Sequence, residues 1–179
     1  MATDERRALA AATQAGAAVA PVDVVWDALA GVPDPEIPAV SIVDLGMVRA
    51  VDWDGARLRI EVTPTYSGCP ATEVIGEDIR AALHAQGIEQ VRLETRLAPA
   101  WTTDWLTEAG RAKLNGYGIA PPAYKVIDAS RILGSAVVIP CPRCGSERTS
   151  RLAAFASTPC KALYRCDDCR EPFDYFKPH

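Results

Sequence analysis

The sequence predicts an α/β protein, with a small N-terminal domain of a short mixed sheet and flanking helices and a β-rich C-terminal ribbon. Apolar residues alternate between helical and extended periods over roughly 100 residues after an Ala-rich start. Two CxxC pairs follow in the last quarter of the chain. The charge also changes sign: residues 1–139 carry 12 basic and 18 acidic side chains, whereas residues 140–179 carry 7 and 5. These observations together indicate two modules.

The first predicted helix is VDVVWDALA, residues 22–30, which Gly31 ends before a run of prolines. Its apolar stripe consists of Val22, Val25, Trp26 and Leu29. The segment MVRAVDWDGARLRIEVTP then predicts a β-hairpin. Asp54-Gly55 supplies the turn, because Gly tolerates the positive φ of tight hairpin loops.

A second helix is expected after the TYSGC loop, with Pro70 at its first position and Gly87 as its C-terminal cap. Its buried stripe is predicted to be Val74, Ile75, Ile79 and Leu83. A strand follows at residues 91–97. A third helix is expected between Trp101 and Asn115, opening near Thr103 and closing at Gly116.

We expect four segments: a flexible tail at 1–20, the α/β domain at 21–120, a linker at 121–135 and the ribbon at 136–179. Acidic residues among the first seven argue against a secretory signal, and no apolar run reaches the length of a membrane span. Two CxxC pairs without an export signal favour reduced thiols and a cytoplasmic location.

The two CxxC pairs, CPRCG and CDDCR, are separated by 21 residues. Each pair lets two sulfurs turn toward one ion, and two pairs complete a tetrahedral shell of four thiolates. We therefore expect a structural Zn²⁺ site, with iron as the alternative that four thiolates also suit. The expected ligands are Cys141, Cys144, Cys166 and Cys169.

Two cysteines lie outside this pattern. Cys69 precedes Pro70 at the expected helix start, where free N–H groups and the helix dipole favour a thiolate; the alternative is an inert buried thiol. Cys160 is either a small buried hydrophobe, an exchangeable fifth ligand or a thiol that passes metal to a partner.

Asp34 and Glu36 lie in a Pro-braced turn, DPE, which by its residues alone is more typical of a helix-stop turn than of a site. The chain has no Glu-x-x-His pair, no GxGxxG and no Walker A sequence. These absences argue that the chain does not itself perform oxygen, hydride or phosphoryl chemistry.

The stretches DPEIPAVSIVDLGMV and VTPTYSGCPATEVI resemble the iron–sulfur and metal-centre assembly family that includes bacterial SufT. The later WTTDWLTEAGRAKLNGYGIAPP and the Cys-rich C-terminal segment resemble the D-component family of phenylacetyl-CoA epoxidases, called PaaD or PaaJ. One position departs from that family, because its usual FGST reads FAST here, with Ala156 in place of Gly.

This resemblance implies an accessory, non-catalytic subunit of the system that epoxidises phenylacetyl-CoA in phenylacetate catabolism. Its partners would be the di-iron oxygenase and reductase subunits, and its task would be assembly of their metal centres. The resemblance further implies metal-handling or partner-facing roles for Cys69, Asp34 and Glu36, to which we add Cys160. A transiently held iron ion or iron–sulfur cluster would be the cargo, and self-association stays open.

Three other classes compete with that interpretation. The protein could be a docking subunit that binds the oxygenase through its ribbon without transferring metal. A nucleic-acid-binding ribbon is disfavoured by the acidic remainder of the chain, because phosphate affinity comes from clustered Lys and Arg. A thiol oxidoreductase is disfavoured because the second CxxC pair completes a metal shell.

Overall fold

A computed structural model describes residues 19–122 and 138–178. Nearly all of the predicted tail and of the predicted linker lies outside the described residues. The elements are, in chain order, α1 (Val22–Ala30), β1 (Val48–Asp54), β2 (Arg57–Val62), α2 (Thr72–His84), β3 (Val91–Thr95), a 3₁₀ turn (Thr103–Trp105), α3 (Glu108–Tyr117), β4 (Ile119–Ala120), β5 (Thr149–Ala153), β6 (Lys161–Cys166) and β7 (Pro172–Phe176).

Helix α1 has the predicted bounds, and the amide of its C-cap residue Gly31 donates to the carbonyl of Ala28. Only Val25 and Leu29 of its predicted stripe are fully buried. Val22 is exposed and Trp26 is only partly buried, so the expected four-residue stripe is too wide. A helix of nine residues on the edge of a small domain buries one narrow line of side chains.

The three-stranded sheet is mixed, in the order β1-β2-β3. The predicted hairpin joins β1 and β2 in antiparallel register around Gly55, whose φ is +61°. Strand β3 pairs parallel to β2, with α2 as the crossover between them. A crossover of this kind covers one face of the sheet and places both ends of α2 near its edges.

Helix α2 begins at Thr72 rather than at Pro70, because the chain makes another turn at residues 70–71 before the helix starts. Ile75, Ile79 and Leu83 form the buried stripe as predicted. Val74 does not belong to it, since 45% of this residue is exposed. It lies one position away from the buried line, on the flank of the helix.

The helix expected from Thr103 to Gly116 is replaced by two elements, the 3₁₀ turn and α3. Thr107 divides them, because its backbone is extended and its hydroxyl accepts the amide of Gly110 at 2.9 Å as an N-cap. The helix then ends at Gly118, whose φ of +91° only glycine adopts readily. The expected boundaries were therefore wrong at both ends.

The ribbon sheet has four strands in the order β4-β7-β6-β5. Strand β4 comes directly after α3, and it pairs parallel to β7 of the ribbon. The fold class is confirmed: a small domain with a mixed sheet and helices is followed by a β-rich ribbon with four cysteines.

The main hydrophobic core crosses the boundary between the two modules. Most of its residues come from the first module, but Cys160 and Phe176 of the ribbon belong to it as well. The ring of Phe176 meets Trp101 edge to face, with centroids 6.0 Å apart. A smaller second core lies within the ribbon, around Cys166, Phe173 and Tyr175. The ribbon is thus packed into the first module.

Candidate functional site

The four predicted ligand cysteines come together at the end of the ribbon. Each of their sulfurs lies within 4.8 Å of the others. The Sγ atoms of Cys141 and Cys169 are 3.8 Å apart, and those of Cys144 and Cys166 are 3.6 Å apart. A tetrahedral Zn²⁺ with bonds of about 2.3 Å separates its sulfurs by about 3.8 Å. The donor set and its spacing therefore fit zinc. We call this group the ribbon cluster.

Backbone geometry prepares both knuckles for an ion. In the first knuckle Gly145, at φ +74°, donates its amide to the carbonyl of Cys141 at 2.8 Å. In the second, Arg170 adopts a φ of +65°. The backbone N–H of Cys169 lowers the pKa of Cys166 to about 7, which favours the thiolate that a metal needs. At Cys169 the backbone N–H of Glu171 lowers the pKa, but burial and the three neighbouring cysteines outweigh it and raise the value to about 12. Four sulfurs leave no ligand position open, so the site suits a structural ion.

The acidic turn in the first module is built around Asp34. Its Oδ1 accepts the amides of Glu36 at 2.9 Å and Ile37 at 2.8 Å, so one carboxylate oxygen is committed to the turn. Burial raises the pKa of Asp34, although these two amides and the charge of Lys161 act in the opposite direction. Burial also raises the pKa of Glu36, and the neighbouring Asp34 adds to it. The turn thus holds two neighbouring carboxylates that are both partly shielded from water.

Cys69 is half-buried in the loop before α2. Burial raises the pKa of its thiol, and the carboxylates of Glu36 and Asp34 raise it further. The amide of Ala71 and the side chain of Thr72 act the other way but do not prevail. Of the two alternatives for Cys69, a thiolate stabilised by the helix start and a buried thiol, the raised pKa favours the thiol, because desolvation and two acids outweigh the helix amides.

Cys160 reaches the same neighbourhood from the ribbon. It is 4% exposed, and its sulfur lies 3.0 Å from the hydroxyl oxygen of Thr158. Burial raises the pKa of this thiol, the Thr158 contact lowers it, and Glu36 raises it again. Because Glu36 acts on both Cys69 and Cys160, the four residues share one region at the boundary between the modules. We call Asp34, Glu36, Cys69 and Cys160 the junction site.

Two residues at this site were missed in the sequence. Burial raises the pKa of Tyr66 to about 12, and Cys69, Glu36 and Cys160 add to the effect. Lys161, next to Cys160, is a buried cation that faces the acidic turn. Adjacency to the two unassigned cysteines was the available cue: Tyr66 is three residues before Cys69, and Lys161 directly follows Cys160.

The donors of the junction site do not form a ready cage. Within residues 19–122 and 138–178, the ribbon cluster is the one group of His, Cys, Asp and Glu at ligand spacing. The junction site instead offers two thiols and two carboxylates whose pKa values are all raised. A metal ion must displace protons from such thiols, so binding there is coupled to proton release.

Comparison with known families matches both modules. A family described as "Iron-sulfur cluster assembly protein" matches residues 22–92, and one described as "PaaD zinc beta ribbon domain" matches residues 127–177. The matched ranges contain the acidic turn and Cys69 in the first case and Cys160 with the ribbon cluster in the second.

Three curated proteins are similar to this chain. A protein of Escherichia coli, named as the putative D component of 1,2-phenylacetyl-CoA epoxidase, is 50% identical over 163 residues, covering 90% of this chain and 96% of that protein. A "Fe-S protein maturation auxiliary factor" of Porphyromonas gingivalis is 35% identical, covering 45% of this chain and 78% of that protein. The similarly named YitW of Bacillus subtilis is 33% identical, covering 50% of this chain and 89% of that protein.

In the part of the chain that the structure describes, no helix is long and apolar enough to cross a membrane.

Proposed function

The chain belongs to the D-component family of phenylacetyl-CoA epoxidases, and on this premise we propose that it is an accessory subunit of the phenylacetyl-CoA 1,2-epoxidase system. In this proposal it catalyses no oxygenation. It assists assembly of the iron or iron–sulfur centres of the oxygenase and reductase subunits. Two relatives that each match about half of this chain are named as Fe-S maturation factors, and the iron–sulfur cluster assembly family matches residues 22–92, which supports placing the assembly function in the first module. Because the thiols must stay reduced, the proposal includes a cytoplasmic location.

The observation that carries the proposal is the junction site. Two carboxylates and two thiols from distant parts of the chain share one partly desolvated region, and Glu36 acts electrostatically on both thiols. Ferrous iron is a borderline cation that carboxylates and thiolates both bind, and thiolates also hold iron–sulfur clusters. The region therefore suits an iron cargo.

The raised pKa values indicate how the cargo would be released. A thiol whose pKa lies above its ordinary value binds metal only after losing a proton that it readily regains. Metal affinity is reduced accordingly. In the proposal, Cys69 is the thiol that meets the partner, because it is only half-buried, whereas Cys160 is buried in the interior.

The zinc ribbon has a supporting role in this scheme. Strand β6 ends at Cys166 in the ribbon cluster and begins at Lys161, directly after Cys160. The amide of Lys177, in the segment after β7, donates to the carbonyl of Cys160 at 2.9 Å and holds it from the other side. The ribbon would therefore keep Cys160 at the junction, with zinc fixing the far end of the strand.

Co-expression of a Cys69→Ser variant with the oxygenase and reductase subunits tests the proposal. We expect the partner subunits to lose most of their iron and the system to lose epoxidation in proportion, as measured by elemental analysis and product formation. The matched control is Ser67→Ala, an exposed position in the same loop, which should leave both unchanged. Normal iron content and epoxidation with Cys69→Ser would refute the assembly function.

A docking subunit that transfers no metal is the second candidate, and one observation favours it. The ribbon presents two large apolar side chains, Leu152 at 52% and Phe155 at 65% exposure. Exposed apolar groups on a small ribbon are suited to a protein partner. Under this alternative, Cys69→Ser has no effect, whereas Leu152→Ser with Phe155→Ser abolishes co-purification with the oxygenase.

A further inference from the structure

Lys161 is a buried cation. Its side chain is 6% exposed, and its Nζ lies 2.9 Å from Oδ2 of Asp174. Among the described residues, the buried charged side chains are Asp34, Asp44 and Lys161. Asp44 has its own partner, since Lys113 lies 2.6 Å from it in the first module. Burying an ammonium group is costly unless it is paired, so the position of Lys161 calls for an explanation.

The backbone holds Lys161 in place. It is the first residue of β6, opposite Phe176 of β7, and Asp174 lies in β7 opposite Leu163. Its amide donates to the carbonyl of Thr158 at 3.1 Å, and its carbonyl accepts the amide of Ala156 at 3.0 Å. With the backbone fixed on both sides, the ammonium group is confined to a small volume between Asp174 and the first module.

That volume opens into a cleft of about 380 Å³ at the boundary of the modules. Glu36 lines one part of it, and Lys161 and Asp174 line another. Arg143, which is exposed, lies on its rim. Lys161 also acts electrostatically on Asp34 as well as on Glu36. A cation that approaches the acidic turn through this cleft therefore meets the ammonium group of Lys161.

On the basis of the proposed function, we propose that the fixed charge of Lys161 keeps cation binding at the junction site weak and that Asp174 partly neutralises it. A buried positive charge repels a divalent ion more strongly than an exposed one, because little water screens it. Removing Lys161 should therefore strengthen binding. Removing the charge of Asp174 should weaken cation binding, because the charge of Lys161 is then no longer partly neutralised and repels the cation more strongly.

The opposite signs distinguish this proposal from a structural role. If the Lys161–Asp174 pair only supported the fold, removing either partner would loosen the site and weaken binding in both cases. Under our proposal, Lys161→Met tightens ferrous iron binding on the order of tenfold, and Asp174→Asn weakens it severalfold. Arg143→Met is the matched control: it removes an exposed cation from the same cleft and should change the affinity by less than about twofold.

The test is an anaerobic titration of the full-length, zinc-loaded chain with Fe²⁺, followed by native mass spectrometry. The mass separates a bound iron from the ribbon zinc, so loss of zinc by a variant is detected directly. The double variant Lys161→Met/Asp174→Asn removes both charges together and serves if Lys161→Met alone does not fold. The charge of Lys161 affects the pKa values of both Asp34 and Glu36, whereas Asp174 affects neither. Removing both charges should therefore leave the acidic turn without its nearby cation, and we expect the double variant to bind iron more tightly than wild type.

Three outcomes overturn the inference: an unchanged affinity in Lys161→Met, a shift of both single variants in the same direction, or weaker binding by the double variant than by wild type. In each of these cases wild type still binds iron, so the proposed function survives. If no chain binds a second ion, including Lys161→Met, the proposed function fails and the inference fails with it.

Discussion

The ribbon cluster and the junction site both contain cysteines, but the groups that surround the thiols differ between the two sites. In the ribbon cluster four sulfurs stand at the spacing of one tetrahedral ion, and backbone N–H groups favour the thiolate of Cys166. In the junction site two thiols lie among carboxylates, and burial holds their pKa values high. The contrast teaches that the arrangement of donors around a cysteine, more than its presence, decides whether it belongs to a closed metal shell.

Removal of the ribbon metal should produce the largest effect. Because the ribbon cluster anchors the far end of β6, chelation should release the strand and expose Cys160 at its near end. We expect alkylation of Cys160 to accelerate by about a hundredfold, as measured by peptide mass spectrometry. Restoring Zn²⁺ should restore protection. A Cys160 that stays protected without metal would mean that the junction holds this strand independently of the ribbon cluster.

Truncation of Phe176 should weaken the first module, although this residue belongs to the ribbon. Phe176 is buried in the main core, and removal of such a side chain costs about 3–5 kcal/mol. All four tryptophans lie between residues 26 and 105, so their fluorescence reports unfolding of the first module and of the core that it shares with Phe176.

The matched control is Phe173→Ala, which truncates a Phe of the ribbon's own core. We expect Phe176→Ala to lower the denaturant midpoint seen by tryptophan fluorescence far more than Phe173→Ala does. Equal effects would contradict the assignment of Phe176 to the core of the first module.

Replacement of Asp34 by Asn should raise stability slightly while impairing assembly. The amide keeps the Oδ1 acceptor for Glu36 and Ile37 and removes a buried charge, so we expect a gain of up to about 1 kcal/mol at pH 7. The folded-state pKa of Asp34 is raised, so its charge destabilises the fold above that pKa, and the effect disappears as the pH falls below the unfolded value. Thermal melts from pH 4 to pH 8 measure this. A loss of stability at every pH would contradict it.

Replacement of Glu36 by Gln should make Cys69 moderately more reactive. Burial is the main cause of the raised pKa of this thiol and remains, but the charge of Glu36 adds to it and is removed. The pKa should therefore fall, and alkylation of Cys69 at pH 8 should accelerate about twofold to threefold. Glu73→Gln, which removes an exposed acid in the first turn of α2, should leave the rate unchanged.

Locally determined features were predicted from the sequence. The hairpin turn at Gly55 was correct because the positive φ that it requires is a property of two adjacent residues. The convergence of the four cysteines was predicted correctly, because zinc chemistry requires four nearby donors regardless of the fold of the chain between them. Helix boundaries were less well predicted, since the extra turn before Thr72 and the break at Thr107 depend on packing.

The neighbours of the junction site were not predictable in the same way. Nothing local places Lys161 or Tyr66 beside the acidic turn, because their proximity depends on how the ribbon packs on the first module. The sequence left the ionisation of Cys69 open between a thiolate and a buried thiol for the same reason. A helix start is visible in the sequence, whereas desolvation by distant segments is not.

The contribution of the ribbon to the main core has a consequence for synthesis. During synthesis, the first module emerges from the ribosome well before Cys160 and Phe176 do. The emerging domain therefore lacks two residues of its own core. A nascent or truncated chain that ends before the ribbon therefore has the acidic turn and Cys69 but lacks Cys160, the second thiol of the junction site. Under the proposed function, a complete set of iron ligands is thus present only after the ribbon has been translated.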